Sequence, residues 1–227
     1  MHNEFIHIKG GYMKILLASN KGGVGKTTLA VQLAVLLQCH GKKVCIIKAD
    51  KNNDLFDFVD TREKLGGSLV VVEKSGDLHK IIDKSSRSFE FVIVDCAGHD
   101  SEEFRTALQV CDLYLSLVKP SSDFEIGTLN DVTVTVRQAQ KFNPNLKPYV
   151  VMTRVRHQRL NKAIELKKTL LSDPLFIPPT KAYISDLTVF EDACNEGVGV
   201  HEFSSGSSLA KAKAQIELLC NEVGINY

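Results

Sequence analysis

The stretch SNKGGVGKTT, Ser19–Thr28, decides the fold. It follows the apolar run MKILLAS (13–19) and leads into Thr27–Gln38, which is rich in Leu, Ala and Val. A short apolar run ending in a glycine turn reads as a buried strand, and the segment after it, closing at Gly41, reads as a helix. A glycine-rich turn between a strand and a helix points its backbone N–H groups at one spot. The helix N-terminus adds a dipole that favours an anion there. Side chains at Gly22, Gly23 and Gly25 would obstruct a phosphate, and Val24 and Thr28 complete the cradle. Lys26 would reach the β- and γ-phosphates of a nucleotide, and the Thr27 hydroxyl would bind Mg²⁺. The strict pattern G-x-x-x-x-G-K-[ST] places glycine at position 20, where this chain has Asn20. It also has no use for a second lysine, Lys21, five residues ahead of Lys26.

Further apolar runs follow. KVCIIKAD (43–50), SLVVVE (68–73), FEFVIVDCAG (89–98), DLYLSLVKP (112–120) and KPYVVMTR (147–154) read as strands, and KAYIS (181–185) as a short last one. Helices are expected over 77–84, 101–110, 123–141, 158–171, 186–195 and 207–223. Within 123–141, DVTVTV alternates as a strand would, and length and setting argue for helix. Strands alternating with helices over the whole length imply an α/β fold: a doubly wound, mostly parallel sheet with helices on both faces. Residues 1–12 read as an N-terminal extension and 13–227 as a single domain.

The 227 residues are 44% hydrophobic and 24% charged, ordinary for a globular protein, and the net charge of +1 sets up no overall basic field. Six cysteines stand at 39, 45, 96, 111, 194 and 220 without a C-x-x-C pair, against a zinc knuckle or redox motif. Most sit in apolar runs and read as small core residues, and a reducing, cytoplasmic compartment is the simple inference. No run of about 18 apolar residues indicates a membrane span. The first twelve residues lack the charged and apolar regions of a secretory signal.

KGGVGKTT resembles the deviant Walker A motif of ParA/MinD-type ATPases, and similarity extends over roughly residues 13–223, nearest to small ParF-like plasmid-partition ATPases. The resemblance implies an ATPase that binds ATP and Mg²⁺ and dimerises around the nucleotide. In the family the lysine matching Lys21 crosses the dimer interface to the partner subunit's phosphates. FVIVDCAG resembles the Walker B strand, which makes Asp95 a metal-holding residue together with Thr27. KVCIIKADKNN aligns with the family's VLLVDLDPQ switch region. There Asp50 matches the aspartate that positions the attacking water, Lys48 replaces the first aspartate, and Lys51–Asn52 replace Pro–Gln; slow, partner-stimulated turnover is the expectation. VKPSSDFEIGTL (118–129) resembles a dimer-face segment, with Asp123 also a helix cap. FEDACNEGVGVHEF (190–203) resembles the loop that holds the base. The strand end TRVR (153–156) lacks the guanine-reading N-K-x-D, which favours ATP, with Arg154 framing the adenine. His99, after the Walker B strand, reads as a loop contact.

Arg154, Arg156, Arg159, Lys162, Lys167 and Lys168 surround a single acid, Glu165. Alone, that pattern is an ordinary solvated helix face. The resemblance adds non-specific, nucleoid-associated DNA binding through Arg156, Arg159 and Lys162, extended by Lys211 and Lys213 of the last helix. That helix lacks an aromatic apolar face, so packing on the sheet is expected rather than a membrane role. The leading expectation is an ATP-driven dimerising switch in plasmid or DNA partition, working with an adaptor or centromere-binding protein. The alternatives are a related ATPase that positions a conjugation, secretion or other large complex, and a weakly hydrolysing nucleotide-dependent regulator.

Overall fold

The computed structural model describes residues 12–19, 21–50, 53–98, 101–120 and 124–227 (for 124–126 the backbone only). Asn20, Lys51, Asn52, His99 and Asp123 lie outside the described residues. In chain order the elements are β1 (Met13–Ala18), α1 (Lys26–Cys39), β2 (Val44–Ala49), α2 (Asp54–Lys64), β3 (Val70–Glu73), α3 (His79–Ser86) and β4 (Phe91–Cys96). They continue with α4 (Glu102–Leu108), β5 (Leu113–Val118), α5 (Phe124–Ala139), β6 (Lys147–Met152), α6 (Leu160–Ser172), α7 (Thr188–Asn195) and α8 (Leu209–Val223).

The six strands form one sheet in the order β3-β2-β4-β1-β5-β6, and every pairing is parallel. The continuous apolar runs have a direct cause: both faces of the sheet are covered. In β1, Ile15 and Leu17 enter the core beneath α1, α2, α7 and α8. Leu16 and Ala18 enter the opposite core beneath α3, α4, α5 and α6. Each fully buried Leu or Ile among them contributes about 1.5–3 kcal/mol. The strand order reverses direction around β1 and β4. Open α/β sheets bind ligands beyond the carboxyl ends of the strands at such a switch point.

The ambiguous segment 123–141 is a helix. Leu129, Val132 and Val136 are buried at helical spacing, while Val134, a partner in the apparent alternation, is half exposed. The last helix buries Ala212, Ile216, Leu219 and Val223 in the core beside α1. Two expectations need correction. KAYIS (181–185) is not a strand; it meets the sheet edge through one isolated bridge, Val155 to Ser185, and a hydrogen bond from the Ile184 N–H to the Met152 carbonyl at 2.9 Å, while a second isolated bridge, Val150 to Pro179, lies just before it. The N–H groups of Lys181 and Ala182 are taken by the Glu222 carboxylate at 2.6 and 2.8 Å, so the ladder is interrupted between the bridges. The helix α2 was not expected at all. Its Leu55, Phe58 and Arg62 fall on one buried face, but the acids among them mask the period.

Candidate functional site

The loop between β1 and α1 is held from both sides. The Ser19 hydroxyl donates to the Lys21 carbonyl at 2.7 Å, and the Thr153 hydroxyl, at the end of β6, donates to the Val24 carbonyl at 2.7 Å. Gly23 and Gly25 have φ of +71° and +91°, the left-handed region in which a side chain would be strained. Nothing lies within 4 Å of where a Cβ on Gly22 or Gly23 would stand. The loop therefore spends its glycines on backbone shape and on keeping open space before the N-terminus of α1.

Four of the residues singled out in the sequence converge there. Lys26 opens α1, is 8% exposed, and its Nζ lies 3.5 Å from Asp50 Oδ2 at the end of β2. The Thr27 hydroxyl donates to Asp95 Oδ2 at 2.7 Å. Asp95, on β4, is fully buried, and its Oδ1 has no hydrogen-bond partner. Burial pushes the Asp95 carboxyl up to about 6, against the Thr27 hydrogen bond and the Lys26 charge that hold it down. A buried carboxylate oxygen without a partner is costly unless something is meant to meet it. The donor set of a carboxylate and a hydroxyl beside a phosphate cradle suits Mg²⁺, which takes one or two protein oxygens and fills its octahedron with phosphate and water oxygens. Among the described residues no cluster of three or more His, Cys, Asp or Glu could hold a metal by itself.

The convergence opens onto a cavity of about 440 Å³ lined by Gly23, Gly25, Lys26, Thr27, Thr28, Arg154, Glu191, Cys194, Asn195 and one side of α2 (Asp54, Asp57, Phe58 and Thr61). That is within the size range of small-ligand sites. A narrower, more apolar recess continues past Val24, Leu29, Ile184, Leu187 and Phe190. Arg154 stands between the two and lines both. Its Nη1 donates to the Gly23 carbonyl at 3.2 Å, its Nε to Asp186 at 3.1 Å and its Nη2 to Glu191 at 2.7 Å. Its φ of +50° is uncommon for a residue with a side chain, and the three contacts over-determine it.

A family model described as the CobQ/CobB/MinD/ParA nucleotide binding domain matches residues 15–187. The chain belongs to that family. It is a nucleotide-binding protein of the ParA/MinD ATPase family. It is 26% identical over 212 residues to the Maintenance of carboxysome distribution protein A of Halothiobacillus neapolitanus, spanning 92% of this chain and 95% of that one. Its fold is similar to the McdA–ATP complex of Cyanothece, with a TM-score of 0.69 and 15% identity over 96% of this chain and 99% of that one. It is also similar to a plasmid partition protein from Borrelia burgdorferi, with a TM-score of 0.63 and 18% identity over 94% and 100% of the two chains.

Apart from Lys48, which is in register with Asp95, the other residues singled out in this ParA/MinD-family chain lie away from that convergence. Lys21 is exposed and lines a small hollow with Ser116, Val118, Lys119 and Thr128, on the β5 side of the loop. Lys48 is buried and pairs with Glu73. Arg156, Arg159 and Lys162 are exposed on the 3-10 turn His157–Arg159 and the start of α6. Arg156 pairs with Asp186 at 2.9 Å and Lys162 with Glu165 at 3.1 Å. Lys211 and Lys213 do not extend this surface: α8 packs on the opposite face of the sheet, and Lys213 donates to the Phe203 carbonyl at 3.4 Å. Among the described residues no helix is long and apolar enough to cross a membrane.

Sequence reasoning missed the cavity wall supplied by α2, and Asp186 and Glu191, which hold Arg154. Asp54 and Asp57 in the first turn of α2, where acids favour the helix dipole, were the available signal for that helix. The helix is fixed at its far end by Arg62, buried, which donates to both Glu202 oxygens at 2.8 Å and to the Gly197 carbonyl at 3.1 Å.

Proposed function

We propose that this chain is a Mg²⁺-dependent ATPase that works as a dimerising switch to move or position a cargo, with DNA as the surface on which the dimer acts. The observation that carries the reading is the Thr27–Asp95 pair with its partnerless buried oxygen, set beside Lys26 at a helix N-terminus. Lys26 would turn from Asp50 to the β- and γ-phosphates, and Asp50 would orient a water for in-line attack. Gly22, Gly23, Val24, Gly25, Thr27 and Thr28 would cradle the phosphates with their N–H groups. Thr27 and Asp95 would hold the metal, which when bound neutralises charge on the β- and γ-oxygens. The apolar recess behind Arg154 would take the base. Lys21, exposed at the mouth of the loop, would reach a triphosphate seated in a second copy, so that nucleotide binding and dimerisation become thermodynamically linked.

The test is self-association measured by light scattering with ATP and Mg²⁺. Wild-type protein should shift from monomer to dimer, and Lys21→Ala should stay monomeric while still binding ATP. Dimerisation untouched by Lys21→Ala would remove the switch and leave a generic triphosphate pocket.

The kind of cargo has two readings. A DNA-partition role draws on the exposed Arg156, Arg159 and Lys162 and on the likeness to a plasmid partition protein. Positioning of another large complex without DNA contact draws on the acids that already engage Arg156 and Lys162, and on the relative named for carboxysome distribution. Reversing all three charges abolishes DNA binding only under the first reading. Phosphate release measured with and without DNA and a cognate adaptor separates both from a regulator that hardly hydrolyses.

A further inference from the structure

Lys48 is 1% exposed, at the carboxyl end of β2. Lysine is almost never fully buried without a partner. Here Nζ donates to Glu73 Oε1 at 2.5 Å on the neighbouring strand β3, and it lies 5.0 Å from the centre of the Phe56 ring of α2. On the other side of β2, Lys48 is in register with Asp95. Ile46 and Ile93, two residues back along the same pair of strands, both face the core beneath α1, so Lys48 and Asp95 share that face. Adjacent strands are only about 4.8 Å apart. The Lys48 charge is felt at Asp95, where it counters part of the effect of burial. The Lys48 ammonium is engaged by Glu73 and lies over the Phe56 ring, so it acts on Asp95 by charge rather than by contact.

We propose that Lys48 is a positioning residue that sets the metal dependence of nucleotide binding: a built-in cation beside Asp95 takes over part of the charge neutralisation that Mg²⁺ would otherwise supply. This rests on the nucleotide site proposed above. A fixed cation attracts the triphosphate and repels an incoming dication, so its effects on the two ligands have opposite signs. Nucleotide without metal then binds comparatively well, and Mg²⁺ adds less than it would at a site with a neutral residue at position 48. A unit charge within about 10 Å at an effective dielectric near 20 changes an equilibrium on the order of tenfold.

The experiment measures the Kd of a fluorescent ATP analogue in EDTA and in Mg²⁺, and takes the ratio of the two. Lys48→Met keeps length and removes the charge; the ratio should grow about tenfold, mainly through weaker metal-free binding. Glu73→Gln unmasks the ammonium. Because the Glu73 side chain is 60% exposed and screened, the ratio should shrink by only about two- to threefold. A lysine that merely fills space would move both Kd values together and leave the ratio fixed. An unchanged ratio in Lys48→Met, or shifts of the same sign in the two variants, overturns the proposal. If Lys48→Met does not fold, Glu73→Gln decides alone: a smaller ratio supports the proposal and an unchanged one overturns it. Wild-type protein that binds no nucleotide in either condition would overturn the proposed function, and this inference with it. Binding with an unmoved ratio would overturn this inference alone.

Discussion

Lys26 and Arg156 each pair with an aspartate, at 3.5 Å and 2.9 Å, and the longer pair is the more consequential. The side chains of Lys26 and Asp50 are 9% and 17% exposed, and both stand where three buried strand ends and a helix N-terminus meet. Arg156 is 60% exposed on a surface turn, where an ion pair is worth about 0–1 kcal/mol. Burial and convergence, rather than distance, decide which pair matters. In the first region the charges stand at strand ends and a helix N-terminus, so an arriving anion would need only to draw Lys26 away from Asp50. In the second the cations lie on water-facing side chains that can exchange an acid for a phosphate at little cost.

The sharpest way to break this contrast is Lys26→Ala. Removing the desolvated cation proposed to meet the phosphates should weaken ATP binding roughly 100-fold or more, about 3 kcal/mol, as read by calorimetry. An affinity within a few-fold of wild type would show that the loop's N–H groups suffice and that the convergence at Lys26 is incidental.

Next in size is Asp95→Asn, whose effect depends on pH. The folded Asp95 carboxyl is raised to about 6 from an ordinary 3.8, so the fold favours the protonated form. The stability this confers is fully present below about pH 4 and is lost as pH rises through about 6. At pH 7.5 the buried charge costs the empty protein on the order of 3 kcal/mol. Asparagine keeps an acceptor for Thr27 and removes that charge. The variant should therefore melt roughly 5–10 °C higher than wild type at pH 7.5 and close to it at pH 4. It should also lose the effect of Mg²⁺ on nucleotide affinity. Stabilisation without loss of the metal effect would mean that the partnerless oxygen serves some other purpose.

The first region was also the more legible in sequence, for the same physical reason. A strand ending in glycines fixes where Lys26 and Thr27 must stand. A buried strand ending in aspartate can put Asp95 in only one place, the carboxyl edge of the sheet. What stayed hidden depended on contacts between distant segments. Arg154 could be placed near the site, but Asp186 and Glu191, which aim it, lie more than thirty residues further on and carry no local signature. The helix α2 shows its apolar face only once Leu55, Phe58 and Arg62 are seen to be buried together, and Arg62 is polar. The expected strand at 181–185 was lost to one carboxylate, Glu222, which is forty residues away in sequence.

The smallest effects are expected on α6 and the turn before it, and they test whether that surface does anything beyond meeting water. Lys162→Ala removes a cation paired with Glu165 three residues along an exposed helix, so stability should change by less than about 0.5 kcal/mol. Arg156→Ala should cost little more, since Arg154 still donates to Asp186. DNA affinity is the more sensitive reading. A cation that meets a phosphate releases a counterion, so each substitution should lower the slope of log affinity against log salt by about one, equally on every sequence. The two slopes should fall even though the melting curves do not move, because exchanging Asp186 or Glu165 for a phosphate leaves the fold unchanged. If both slopes match wild type, the acids hold these cations against DNA, and the contrast hardens: the basic turn is then a solvated face, and cargo must be met elsewhere on the molecule.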